Sequence, residues 1–305
     1  MSVFKAILLK LGSAVLFAIM QALVRWLGDT APVGQVVFFR SAFAILPVVI
    51  IYAWRGELIG AVRTGRPLGH LGRGTVAIGG MFSNFAALAR LPLLEATAIQ
   101  FASPLITVAM AALVLKERVR IYRWSAVAVG FVGVLVMVTP HIDPAHFVMA
   151  ASGAGALFAL LSAFCNAGTV VQTRRLTQSE TTSSIVFYFS LICALAGLCT
   201  APFGWHAATT TELVALISIG ILGGLAHIVL TESYRYASAS VLAPFDYTSI
   251  LFALVFGYLL FGEVPTKFVL IGALIVTAAG LFVIWRERQL GLRRAREAEG
   301  APAAT

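Results

Sequence analysis

The sequence predicts an all-α integral membrane protein, ten transmembrane helices arranged as two inverted five-helix repeats. Three observations carry that prediction. Of 305 residues, 60% are hydrophobic and only 11% are charged, and the mean hydropathy is +0.93; a soluble domain of this size carries about 25% charged residues. The chain also matches itself. An offset of 146 lays Leu115-Lys116-Glu117-Arg118 on Phe261-Gly262-Glu263-Val264 and brings Gly133 within one residue of Gly280. An offset of 141 lays Gly12, Leu16, Phe17, Ala18 and Ala22 on Gly153, Leu157, Phe158, Ala159 and Ala163. Two copies of one unit in an apolar chain put a site where the copies meet. The third observation is the placing of Lys and Arg, which orients the copies.

A crossing takes about 20 apolar residues, and ten such runs can be drawn. The first repeat, 5–139, holds spans at 5–27, 33–53, 74–91, 95–115 and 122–139. The second, 148–285, holds spans at 148–171, 182–201, 213–234, 240–261 and 268–285. Span one follows Lys5 and Lys10 in the manner of a signal peptide, but cleavage would remove a segment that has a counterpart in the second half, so an uncleaved span is expected. Turn chemistry separates the later runs: Gly28-Asp29-Thr30-Ala31-Pro32, Thr139-Pro140, Asp143-Pro144, Ala201-Pro202-Phe203-Gly204 and Val264-Pro265. The runs are continuous rather than alternating, which excludes a β-barrel. Residues 286–305 are basic, polar and Ala-rich and are expected to be a disordered cytoplasmic tail.

With the N-terminus in the cytoplasm, one side holds Lys5, Lys10, Arg55, Arg63, Arg66, Arg73, Lys116, Arg118, Arg120, Arg123, Arg174, Arg175, Arg235, Arg286, Arg288, Arg293, Arg294 and Arg296, or 18 of the 22 Lys and Arg. Arg90 and Lys267 fall opposite, and Arg25 and Arg40 lie within spans. Cytoplasmic loops carry the basic excess, so both termini are expected in the cytoplasm, in a bacterial-type inner membrane. An odd number of spans per unit makes the second unit enter from the opposite face, and its loops lack the cations of their counterparts, as inversion requires. The net charge of +9 is thus topological and suits anionic lipid headgroups, not nucleic acid. The oligomeric state is left open.

The spacing resembles the drug/metabolite transporter superfamily, in its tandem EamA-type branch. The residues that carry the likeness are Phe38-Phe39-Arg40-Ser41 in span two and Glu95-Ala96-Thr97-Ala98 with Pro104 in span four, closed by Lys116-Glu117. Their counterparts are Ala239-Ser240 and Ala243-Pro244-Phe245-Asp246-Tyr247, closed by Gly262-Glu263. Lys116 departs from the usual Gly before the Glu, and the second half places its proline earlier relative to its Glu. The runs 34–41 and Trp285-Arg286-Glu287-Arg288 look most like riboflavin importers and S-adenosylmethionine carriers. The resemblance implies a secondary transporter of a small organic metabolite, riboflavin or a nucleoside-like solute included. An amino-acid or drug exporter of the same superfamily, or a non-transporting sensor or assembly module, are the alternatives.

Polar residues inside apolar spans are the candidates for contact with a solute. Arg40 lies about seven residues into span two; it either snorkels to the outer headgroups or serves as an anion or carbonyl donor, or as partner to a buried carboxylate. Asp246 lies two residues after Pro244, and Gln100 matches it at the 146 offset, so both halves put a polar side chain at one depth. Asp246 either takes a cation or proton or acts as a gate. Gln21, Asn84 and Asn166 are expected at the site or as interhelical hydrogen-bonding glue. His227 could carry a proton, and Glu232 is expected to pair with Arg235. Phe82, Phe101, Phe245 and Tyr247 could stack on a flat ring or simply pack. Pro104, Glu117, Pro244 and Glu263 are expected to be gating or structural, with Arg118 and Lys267 as partners for the two carboxylates.

Cys165, Cys193 and Cys199 show no metal spacing and read as small packing residues. The His141-Ile142-Asp143-Pro144-Ala145-His146 loop is a poor preset metal site. No nucleotide loop, nucleophile elbow or HExxH occurs, so neither enzyme activity nor a cofactor is expected. The expected partners are a small-molecule substrate and the bilayer.

Overall fold

A computed structural model describes residues 2–28, 30–54, 56, 63–114, 121–139, 151–176, 179–236 and 242–299. The described residues form α1 (Ser2–Leu27), α2 (Val33–Trp54), α3 (Pro67–Leu88), α4 (Leu93–Gln100), α5 (Ala102–Val114), α6 (Ile121–Val138), α7 (Ala151–Leu176), α8 (Thr182–Leu198), α9 (Thr210–Tyr236), α10 (Thr248–Phe261) and α11 (Lys267–Glu299), with 3₁₀ turns at Ala201–Phe203 and Ala243–Tyr247. Among them there is no strand. Lipid offers no partner for a peptide N–H or C=O, so an apolar run that enters it must close its own hydrogen bonds as a helix. Five of the helices (within α1, α2, α7, α9 and α11) are long and apolar enough to cross a membrane, and shorter apolar helices cover 124–137, 183–198 and 245–261.

Local chemistry sets the ends. Pro67 opens α3 in its first turn, where a missing N–H costs nothing. Thr181 caps α8, its Oγ1 accepting from the Ser184 N–H at 3.2 Å. Gly262 closes α10 in the left-handed region (φ 64°), returning its N–H to the Tyr258 carbonyl.

Two expectations from sequence are corrected. The fourth and ninth runs are not single helices: one breaks at Phe101 between α4 and α5, and the other starts as a 3₁₀ turn. The stretch expected to be a disordered tail from residue 286 instead continues α11 to Glu299. Its Arg, Leu, Ala and Glu content has high helix propensity, and α11 arrives already nucleated, so extension costs little.

Each half is stitched to the other. The first helix of the first half, α1, packs on α9, and its counterpart α7 packs on α3. The helices α2 and α8 pack on each other, as do α6 and α11. Small residues bring these helices close: Gly220 and Gly224 of α9 lie against the α2 backbone at Phe39 and Ala44, and Gly133 of α6 faces the Gly272 carbonyl of α11. The core centres on Leu27, Leu88, Leu91, Leu93, Ile99 and Met137. Outward, Phe131, Leu135, Leu251, Leu259, Ile271 and Leu274 are exposed, an apolar belt too broad for water and suited to lipid.

Candidate functional site

A cavity of about 690 Å³ opens where two elements break. The helix α4 stops at Gln100 and α5 starts at Ala102; the second 3₁₀ turn stops at Tyr247 and α10 starts at Thr248. These breaks are equivalent, since the 146 offset maps Gln100 on Asp246 and Phe101 on Tyr247. Pro104 is the third residue of α5 and Pro244 the second of the 3₁₀ turn. A proline lacks the N–H that would bond one turn back, so Pro104 leaves the Gln100 carbonyl without that partner beside the break.

One wall is a neutral hydrogen-bonded web. Gln100 Nε2 donates to Asn84 Oδ1 at 2.6 Å and to Ser162 Oγ at 2.9 Å, while Asn166 Nδ2 donates to Gln100 Oε1 at 3.1 Å. Ser162 Oγ in turn donates to the Gly80 carbonyl at 2.9 Å. Gln21 and Thr97 extend this wall. The opposite wall carries a charge: Asp246 Oδ1 lies 2.5 Å from Lys10 Nζ, with the lysine side chain 5% exposed and the aspartate 51% exposed. Between the walls Phe101 and Tyr247 stack, centroids 5.0 Å apart and planes at 22°. The Tyr247 hydroxyl rests on Gly280 of α11, where any Cβ would overlap it.

Beside the cavity, Glu263 and Arg25 join several elements at one end of the bundle. Glu263 accepts from Arg25 Nε at 3.1 Å and from the Leu93 N–H at 2.7 Å, and Arg25 Nη1 reaches the Leu88 and Ala89 carbonyls at 3.3 Å. The carboxylate at the end of α10 is therefore partnered across 238 residues by Arg25, not by Lys267 as its sequence neighbourhood suggests. It also caps the N-terminus of α4, where the helix dipole favours it. At the far end, the Glu180 carboxylate accepts from Thr64 Oγ1 at 3.0 Å and from the Gly65 N–H at 2.9 Å, with His70 Nε2 at 3.5 Å. Burial alone would push the Glu180 carboxyl up; these bonds outweigh it and hold it below the ordinary carboxylate range.

The structure thus brings Gln21, Asn84, Gln100, Pro104, Asn166, Asp246 and Tyr247 to one cavity and leaves two candidates elsewhere. Arg40 is buried between α2, α8 and α9, its Nη2 3.0 Å from His227 Nε2. Phe17 lies edge-on to the His227 ring at 5.0 Å and Phe189 receives both Arg40 and Arg73 on its face. Neither Arg40 nor His227 lines the cavity, and Asp246 takes Lys10 rather than Arg40 as its cation. Glu232 accepts from the Tyr236 hydroxyl at 3.4 Å. Glu117 and the His141–His146 loop lie outside the described residues, as does the side chain of Pro244. Cys193 is buried, Cys165 half-buried and Cys199 exposed, and all three are free thiols.

Lys10, Ser162, Ser103, Thr107 and Ser249 were not singled out from sequence, and Thr97 only as part of the family likeness, yet Lys10 pairs with a cavity residue, Ser162 bonds another, and the rest line the wall. Ser162 could have been found, because the 141 offset lays Gln21 on it. Lys10 was counted with the flanking cations although Leu8, Leu9 and Leu11 already surround it.

A bundle that shows lipid an apolar belt and holds a polar cavity at paired helix breaks has the build of a membrane transporter. The sequence model of the EamA-like transporter family matches residues 4–139 and again 153–285; the chain belongs to that family, within the drug/metabolite transporter superfamily. It is 29% identical over 280 residues to an S-adenosylmethionine uptake transporter of Rickettsia prowazekii, covering 91% of each chain. It is 32% identical to a pseudopaline exporter of Pseudomonas aeruginosa, covering 90% of this chain and 93% of that one. A riboflavin transporter of Rhizobium johnstonii is 29% identical, with 93% and 91% covered. A crystal structure at 20% identity, covering 93% of this chain and 98% of its own, superposes with a TM-score of 0.65 and shares the fold.

Proposed function

We propose that the protein is a secondary carrier in a cytoplasmic membrane, built from two inverted five-helix units, 5–139 and 148–285, that moves a small organic metabolite by alternating access through the cavity at the paired breaks. The observation that carries this reading is the contact between Phe101 and Tyr247, equivalent residues of the two copies that stack on one another in the cavity. A pair of equivalent residues can meet only near an axis that relates the copies, and inverted-repeat carriers bind at that interface, beside interrupted helices. The reciprocal packing of α1 on α9 and α7 on α3 supports the same relation, and the Lys and Arg count supports cytoplasmic termini. Gln21, Asn84, Gln100, Asn166 and Asp246 give the solute its hydrogen bonds, and Phe101 and Tyr247 give it a flat apolar face. With Glu263 and Arg25 joining the elements at the other end, the cavity faces the cytoplasmic end in this conformation. Arg40 and His227 support helix packing behind the site.

Direct flux tests it. Purified protein in proteoliposomes should take up at least one of S-adenosylmethionine and riboflavin, saturably and with competition between related solutes. Absence of flux for a broad metabolite panel under ion and solute gradients of either sign would reject the carrier reading in favour of a non-transporting membrane module.

A further inference from the structure

The charge distribution of the cavity narrows the class of solute further, given the carrier reading above. Among the described lining residues Asp246 bears the single formal charge; the rest are amides, hydroxyls, two aromatic rings and aliphatic side chains, with no Lys, Arg or His. Its side chain lines the cavity and is half exposed, while its cation, Lys10, is almost fully buried and is not among the lining residues. One carboxylate oxygen is engaged by the lysine from the α1 side, and the exposed remainder of the group faces the space a solute would fill. The stacked Phe101–Tyr247 pair adjoins that carboxylate in the chain and in space. A ring face beside an anion attracts a cation by both its charge and its quadrupole.

We propose that the cavity recognises a solute with a cationic centre, ammonium or sulfonium in class, that Asp246 is its counter-ion, and that Lys10 is a built-in competitor for the same carboxylate. In the empty cavity the lysine neutralises Asp246. A cationic solute takes over that role and loosens Lys10 from the 3₁₀ turn at Ala243–Tyr247. An uncharged solute meets an already satisfied aspartate and gains nothing from it. The conformer able to bind a cation is thus the fraction in which Lys10 has let go, and apparent affinity falls by that fraction.

The two roles give opposite effects on mutation, which an ion pair that merely braces the fold would not. Binding to the full-length protein in detergent is measured by tryptophan fluorescence with matched probes: S-adenosylmethionine against S-adenosylhomocysteine, which lacks the sulfonium charge, and choline against 3,3-dimethylbutan-1-ol, its uncharged isostere. In the wild type the charged member of at least one pair should bind about tenfold tighter or better. Lys10→Met should tighten the charged member by roughly tenfold, the release expected if the pair is closed about 90% of the time, and leave the uncharged member within twofold. Asp246→Asn should erase the preference, and the double variant, which leaves no lone buried cation, should erase it with the fold intact by size-exclusion chromatography. Weaker or unchanged binding of the charged probes in Lys10→Met overturns the proposal, as does charge-blind binding or no binding of any probe by the wild type. Riboflavin flux that persists alongside charge-blind binding would sink this inference and spare the carrier reading; charge-selective binding without flux of any solute would do the reverse.

Discussion

Gln100 and Asp246 occupy the same position in two copies of one unit, yet the surroundings of the two could hardly differ more. Gln100 is woven into a neutral web with Asn84, Ser162 and Asn166, whereas Asp246 stands against a single buried lysine. Their backbones have stayed alike, each at the end of a broken segment next to an aromatic residue that reaches its twin. Duplication therefore preserved the break that makes room for a solute and let the chemistry of the two walls diverge. An amide web orients hydrogen-bonding groups and tolerates many solutes, while one carboxylate discriminates by charge.

The comparison can be broken at its hinge first. Gly280→Leu should have the largest effect, because the new side chain must evict the Tyr247 hydroxyl and push its ring into the cavity. Overpacking of this kind costs about 1–3 kcal/mol, so solute binding should weaken roughly 10- to 100-fold, read by equilibrium titration. Next is Gln100→Leu, which removes the hydrogen bonds to Asn84, Ser162 and Asn166; a typical bond is worth about 0.5–1.5 kcal/mol net, and the expected loss appears in thermal unfolding in detergent. The charge preference set by the other wall should survive, and its disappearance would show that the walls act as one. Glu263→Gln keeps shape but removes the charge from its bonds to Arg25 and the Leu93 N–H, a loss of about 1 kcal/mol. Maleimide labelling of a Thr97→Cys probe from the Arg25 end should then quicken several-fold, with an unchanged rate counting against the tie.

The smallest effect is one of pH, away from both walls. Glu180 is held below the ordinary carboxylate range by Thr64, the Gly65 N–H and His70. A carboxyl whose folded value is depressed adds stability above its unfolded value and gives it up as the pH falls through the folded one. Unfolding temperature should thus be flat near neutrality and decline in acid below the normal carboxylate range, and Glu180→Gln should remove that part of the decline without touching charge selectivity.

Much of this architecture was legible from residue types alone, for reasons that also explain what was not. Apolar runs report helices because lipid leaves the backbone no other choice, and the 146 offset put Gln100 and Asp246 at one depth because duplicated units keep their register. Depth along a helix is not direction around it, however. Arg40 was rightly placed inside a span, but nothing in a uniformly apolar helix says which neighbour it faces, and it turned to His227 instead of the cavity. Glu263 was assigned the nearest cation in sequence, although a carboxylate at a turn selects among cations brought near by the fold, and Arg25 is brought there by α1. Lys10 misled for the opposite reason, since a lysine near a helix end ordinarily snorkels, whereas here it is buried and pairs with Asp246. The helix beyond residue 286 was missed because charge-rich composition signals disorder when isolated and helix when attached to one already formed.

The Glu263 junction has a mechanical consequence. A single carboxylate holds the last turn of α1 through Arg25, the first peptide of α4 through Leu93, and, by its own place in the chain, the corner between α10 and α11. Three segments that would have to part for that end to open share one fastening, and loosening any one of them strips the others of the charge they lean on. A change at any one of these contacts is consequently felt by the other two through the same side chain.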